Sequence, residues 1–254
     1  MRAYLAFTKK EFCEVTRTYK LFIMATVFFL LGMMNPITAK ITPKLIEQYM
    51  PKGMQFTIPE PTAMDSWTQF FKNVPQMGLI VLVIVFSGMM ANEFSRGTLI
   101  NMLTKGLHRS VVVISKFTMA TSIWTVSYLL CFGVSYGYTS YFWSGDGVSN
   151  IFFSVFCLWL FGILLIVTMI LGGVLVKSNY GSLLFTVCFV VILFLLNIVP
   201  KLKEYNPIML ASSNMALLSK EMLVSDFTSP IIICCVISVT FLIFAISLFN
   251  KKQI

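Results

Sequence analysis

The chain has 254 residues, of which 57% are hydrophobic and 11% charged, and its mean hydropathy is +0.85. Soluble domains carry about a quarter charged residues, and hiding this much apolar surface from water would take a polar shell that the chain lacks. An ordinary water-soluble fold is excluded, and the net charge of +9 has to be accounted for within a membrane protein.

The first element is residues 1–20, where acidic and basic side chains alternate before any apolar run begins. This pattern, with no small-residue cleavage site after Met33 and Met34, predicts a retained segment and not a cleaved signal. On a helical projection of about 100° per residue, Tyr4, Leu5, Thr8, Phe12, Val15 and Tyr19 share one arc and Lys9, Lys10, Glu14 and Arg17 the other. The expectation is an amphipathic helix lying in the membrane interface.

Six apolar stretches follow: residues 21–39, 77–91, 117–142, 151–176, 183–199 and 231–249, none containing Asp, Glu, Lys or Arg. A helix rises about 1.5 Å per residue, so crossing a hydrocarbon core of roughly 30 Å takes about 17–25 such residues. Residues 77–91 are short, and Val74 extends their apolar character upstream. The predicted fold class is all-α, a polytopic membrane protein forming one transmembrane domain over residues 1–254.

The connecting segments are unequal. Residues 40–73 contain Pro43, Pro51, Pro59 and Pro61, which predicts an irregular segment with short helical pieces at 41–49 and 63–72. Trp67, Phe70 and Phe71 are expected to seat the second piece at the membrane interface. Residues 144–150, with Gly145, Asp146 and Gly147, read as a tight turn. Residues 201–230 form a second excursion, with a short helix expected over 208–223, lying on the membrane.

Charge fixes the expected orientation. Segments 1–20, 92–116, 177–182 and 250–254 together hold the entire balance of +9, while the basic and acidic residues of the opposite segments cancel. By the positive-inside rule the basic face is cytoplasmic, placing both termini inside and residues 40–73 and 201–230 outside. This topological role explains the basic charge without nucleic acid.

Cys131, Cys157, Cys188, Cys234 and Cys235 lie in apolar spans and Cys13 in the leader, so none is expected in a disulfide. His108 is the single histidine and there is no C-x-x-C, so no metal site is expected.

The specific stretch is 91–110, reading Ala-Asn-Glu-Phe-Ser-Arg-Gly-Thr-Leu-Ile-Asn-Met-Leu-Thr-Lys-Gly-Leu-His-Arg-Ser. It resembles the signature between the second and third spans of ABC type-2 export permeases: an acidic residue, a Gly-Thr pair, a short apolar helix, and a basic turn back into the membrane. The leader, from Lys9, Lys10 and Phe12 to Arg17 and Tyr19, is similar to that family's interfacial elbow helix. Tyr205-Asn206-Pro207 with Leu210 resembles its outer segment before the last span.

The resemblance implies that segment 92–116 carries a coupling helix that docks on a separate ATPase, with Glu93, Arg96, Gly97, Thr98, Leu99, Met102, Leu103, Lys105 and Arg109 as the coupling residues. Thr98, Leu99, Met102 and Leu103 would form its apolar ridge, and an exposed apolar ridge wants a partner. Glu93 is expected to pair either with Arg96 or with a basic residue of the elbow helix. The family works with twelve spans from two permease chains, so a second permease, identical or sister, is the other implied partner beside membrane lipid.

The ATPase itself is absent from this sequence. The nearest approach to a phosphate loop, Gly172 to Ser178, has Val176 where the second glycine must stand and Leu171, just before it, where the first must. The resemblance therefore places ATP and magnesium on the partner, and this chain is expected to carry no cofactor and no catalytic residue.

The spans hold no ionisable residue of the kind ion-coupled transporters need, and His108 lies out of reach of membrane-embedded serines, which disfavours an intramembrane serine protease. Thr26, Asn35, Ser87 and Asn197 are candidates for lining an otherwise apolar path, which suits amphipathic or hydrophobic cargo such as peptides, lipid-like molecules or drugs. Gly133 and Gly137 on the third span, and Gly172 and Gly173 on the fourth, allow close helix contact within or between subunits. The competing reading is a non-transporting scaffold or an immunity protein acting by binding alone.

Overall fold

A computed structural model of the protein describes residues 2–49, 60–95, 108–145 and 147–251. Among the described residues there is helix and turn but no strand, and six helices are long and apolar enough to cross a membrane. The order is α1 (Arg2–Arg17), α2 (Lys20–Tyr49), α3 (Ala63–Asn73), a π turn (Val74–Gly78), α4 (Leu79–Phe86), α5 (Ala91–Ser95), α6 (Arg109–Phe142), α7 (Ile151–Val176) and α8 (Asn179–Leu196). Three short helices follow, α9 (Pro200–Lys203), α10 (Met209–Ser212) and α11 (Asn214–Leu218), before a 3₁₀ turn (Val224–Phe227) and α12 (Thr228–Lys251).

The fourth span, α7, is the hub. It is apolar on every side and buried along most of its length, whereas α8 and α12 expose most of theirs. Helices that are apolar all round belong in a core or in lipid, and here the two environments are divided among the spans. Two glycines let α6 pack tightly against its neighbours. A Cβ on Gly162 of α7 would lie 2.4 Å from the Trp124 ring of α6, and one on Gly32 of α2 would lie 2.8 Å from the Cys131 carbonyl oxygen of α6. Side-chain hydrogen bonds seal the same seams: Trp124 Nε1 donates to the Trp159 carbonyl at 3.0 Å, Tyr128 to Val155 at 3.0 Å, and Ser135 to Gly32 at 2.9 Å.

Several sequence expectations are revised. The helical pieces at 41–49 and 63–72 exist, but neither stands alone: the first continues α2, and the second runs straight into the second span through the π turn. Thr62 and Asp65 start α3 with reciprocal contacts, the Thr62 amide donating to Asp65 at 2.8 Å. Pro75 has no N–H to give, and the widened turn, in which the Leu79 amide reaches the Val74 carbonyl, absorbs that loss without breaking the helix. Trp67, Phe70 and Phe71 consequently point into the bundle and are buried there rather than facing outward. The rings of Trp67 and Phe132 are 5.8 Å apart, and those of Phe70 and Tyr128 6.1 Å.

The expected helix over 208–223 is two short helices packed against α7, with Ile208, Leu210, Leu217 and Leu218 buried. Asn206 pins this excursion to the end of the fifth span by donating to the Leu193 carbonyl at 2.6 Å. Burying four aliphatic side chains in the bundle outweighs resting them on the membrane surface. The cysteines are all free, and Cys131, Cys157 and Cys234 are buried.

Of the glycine pairs, Gly172 and Gly173 pack within the chain, against Phe185 and Met90, while Gly133 and Gly137 face open space.

Candidate functional site

The chemistry of this chain concentrates at the base of the bundle on its basic face. The elbow helix α1 turns into the first span at Tyr19, whose φ of 57° is left-handed, and Thr18 closes the turn by donating to the Glu14 carbonyl at 2.7 Å. Its bundle-facing stripe is Phe7, Glu11 and Val15, all buried, with Tyr4 and Thr8 beside them. Tyr4 donates to Thr118 at 3.0 Å and Thr8 to Ser115 at 3.2 Å. The apolar arc expected from sequence is thus divided: Val15 turns inward, and Leu5, Phe12 and Tyr19 are exposed as a separate outward stripe. Lys9 and Arg17 are exposed as well.

Beneath α1 lies a buried charge cluster. The Lys116 ammonium donates to both Glu11 oxygens, at 3.0 and 2.9 Å, and to Glu93 at 3.1 Å. Lys10 bridges the same two carboxylates and reaches Glu14 at 3.1 Å, with the Phe7 ring 5.0 Å away. Glu11 and Glu93 are each 3% exposed and Lys116 2%. Charges this far from water persist only when paired, because removing one leaves the other's desolvation uncompensated. Burial by itself pulls the Lys10 ammonium down, but the hydrogen bond to Glu93, the charges of Glu11 and Glu93 and a hydrogen bond to Glu14 outweigh it and raise Lys10 above the usual lysine range.

Glu11, Glu14 and Glu93 bring their oxygens within 4.8 Å of one another, the spacing of a cation site, but Lys10 and Lys116 stand where the cation would go. The cluster is a structural lock among three elements. Glu93 pairs with the elbow through Lys10, one of the two partners its position in the sequence allowed. Lys116 is corrected from a loop residue to a buried one, since α6 begins at Arg109 and carries residues 109–116 as helix. Sequence reasoning placed neither Glu11 nor Lys116 in the site. The signal was a lone lysine in the apolar run 111–120.

Arg96, Gly97, Thr98, Leu99, Met102, Leu103 and Lys105 lie outside the described residues, and the chain on either side of them is fixed. On one side Glu93 enters the cluster, Asn92 accepts from the Asn179 amide at 3.1 Å, and the Phe94 ring meets Phe249 edge-on at 5.6 Å. On the other, Arg109 donates to the carbonyls of Phe249 and Asn250 at 3.0 and 3.2 Å, satisfying the end of the last span. The segment 96–107 is therefore strung between residues that touch the elbow helix, the third and fifth spans and the sixth.

The four candidate path residues are dispersed. Asn35 is fully buried and accepts from Asn73 at 2.9 Å; Ser87 donates to the Ile84 carbonyl at 3.0 Å; Thr26 and Asn197 are half-buried. None of them lines the apolar groove of about 650 Å³ that opens between the second and fifth spans.

This fold and site define an all-α, multi-pass membrane protein whose N-terminal helix is ion-locked to the base of its bundle. The chain is similar to YxlG, an uncharacterized transmembrane protein of Bacillus subtilis (strain 168), at 22% identity over 186 residues, which cover 72% of this chain and 71% of that one. No protein-family model matches.

Proposed function

We propose that the protein is the permease subunit of an ABC exporter in the cell membrane, with both termini cytoplasmic. It pairs with a second permease chain and is driven by ATP and magnesium on a separate ATPase subunit. The cargo class is amphipathic or hydrophobic, in keeping with spans that are apolar and contain no ion-binding carboxylate at mid-depth.

The observation that carries this reading is how the described residues flanking 96–107 are held. Glu93 before it and Arg109 after it are tied to the elbow helix and to the last span. A partner that displaced the chain between them would act on residues already tied to α1, α6 and α12. Such an arrangement suits the coupling helix that the 91–110 motif resembles, and a binding-only scaffold has no use for it.

The test replaces Leu99 and Met102 together with Asp, which puts two charges into the ridge that would enter the ATPase cleft. The spans are untouched, so membrane insertion is expected to persist while co-purification of the ABC ATPase partner and cargo export fall together. A double variant that keeps both would turn the assignment toward a scaffold or an immunity protein.

A further inference from the structure

The groove between the second and fifth spans has the polarity of a lipid. At one end it is bounded by Lys72 and Gln76, both exposed and neither with a hydrogen bond or an acidic partner among the described residues. Lys72 is the one charged side chain in the lining, and no carboxylate joins it. From there the walls are apolar, Ile80, Val83 and Ile84 on the second span facing Val187, Val190 and Phe194 on the fifth. Its volume, about 650 Å³, is that of a ligand site and not of a packing defect.

Three features fit one kind of occupant. The lining of the second span runs from Lys72 to Ile84, roughly 18 Å at helical rise, which is close to the depth of one leaflet of the hydrocarbon core. Lys72 itself stands roughly 30 Å along the same span from Glu93, so it marks the membrane boundary opposite the charge cluster. The π turn at Val74–Gly78 contributes Pro75 and Gln76 to the lining, and such bulges are commonly found at functional sites.

We infer that this groove binds an anionic phospholipid, with its phosphate at Lys72 and Gln76 and an acyl chain laid between the second and fifth spans. The site goes beyond the exporter reading and holds whether or not an ATPase partner exists. Only its assignment to the outer leaflet rests on the orientation proposed above.

Native mass spectrometry of the purified protein, supplied with phosphatidylglycerol or phosphatidylcholine of the same chain length, tests the inference. The wild type is expected to retain phosphatidylglycerol about fivefold better, the effect of one lysine near an anionic surface. Lys72→Gln is expected to bring the two lipids level, Lys44→Gln on the exposed end of α2 to change nothing, and Val187→Trp to displace both lipids by filling the groove. Excess inorganic phosphate is expected not to compete. Equal retention by the wild type, a preference that survives Lys72→Gln, or displacement by phosphate alone would each overturn it. So would a dimer that excludes lipid and dissociates on Val187→Trp, which would give the groove to a second copy of this chain.

Discussion

The Lys116 ammonium lies 3.0 and 2.9 Å from the two carboxylate oxygens of Glu11, joining residues 105 positions apart in the sequence, and both side chains are withdrawn from solvent. The pair fastens the N-terminal helix to the third span, and Glu93 extends it to the end of the second. Buried pairs of this kind offer little net stability over an apolar replacement, but breaking one is expensive.

Lys116→Met is accordingly expected to destabilise the protein by about 3–5 kcal/mol, since it leaves two buried carboxylates to share the partly exposed Lys10. Adding Glu11→Gln should recover part of that loss, because one of those two charges is removed. Thermal unfolding in detergent, with hydrogen exchange of residues 2–17 as a local readout, measures both variants. Purely additive losses would show that Lys116 and Glu11 do not act as a pair.

Lys10 and Lys9 are neighbours with opposite environments. Lys10 is held above its ordinary value of 10.5, so its charge, and the stabilisation it gives, is complete below that pH and is lost only as the pH climbs through the higher value. Timed acylation at mildly alkaline pH, read by peptide mass spectrometry, should therefore modify the exposed Lys9 well before Lys10. Equal rates would mean that Lys10 is not held by Glu93, Glu11 and Glu14.

Gly162 and Gly133 make a contrasting pair within the bundle. Gly162→Ala pushes a methyl group into the Trp124 ring and is expected to cost about 1–3 kcal/mol. Gly133→Ala meets nothing within 4 Å and should stay within about 0.5 kcal/mol of wild type. Melting temperatures from size-exclusion profiles after heating decide between them, and a Gly133→Ala loss as large as that of Gly162→Ala would place a partner helix on that face.

Orientation is tested with single cysteines in a background lacking the native six. Cysteine at Ser219, exposed just after α11, should react with an impermeant thiol reagent in intact cells, and cysteine at Thr16, exposed on α1, should react only after permeabilisation. The reverse pattern would invert the assignment of the basic face to the cytoplasm.

The spans were legible in the sequence because uncharged runs of sufficient length have one physical outcome in lipid, and any tertiary arrangement must keep them helical. Six stretches read from composition correspond to six helices, and residues 2–17 form the helix expected of them, although the arc read as a single apolar face is divided between the bundle and the outside. Residues 63–72 were legible as helix but not as part of the second span, because Pro75 reads as a terminator until the π turn shows how its missing N–H is absorbed. Trp67, Phe70 and Phe71 carry the same sequence signature whether they rest at an interface or against Phe132 and Tyr128.

What only the tertiary structure decided is which charges are solvated and which are locked. Lys9 and Lys10 are adjacent in sequence and look alike there. Glu11 becomes a buried partner only when α1 folds back beneath the third span and brings it to Lys116 and Glu93. Hydropathy is a local property that each residue carries with it, whereas an ion pair depends on a distance between segments, and that distance is set by the packing of α1 against α6.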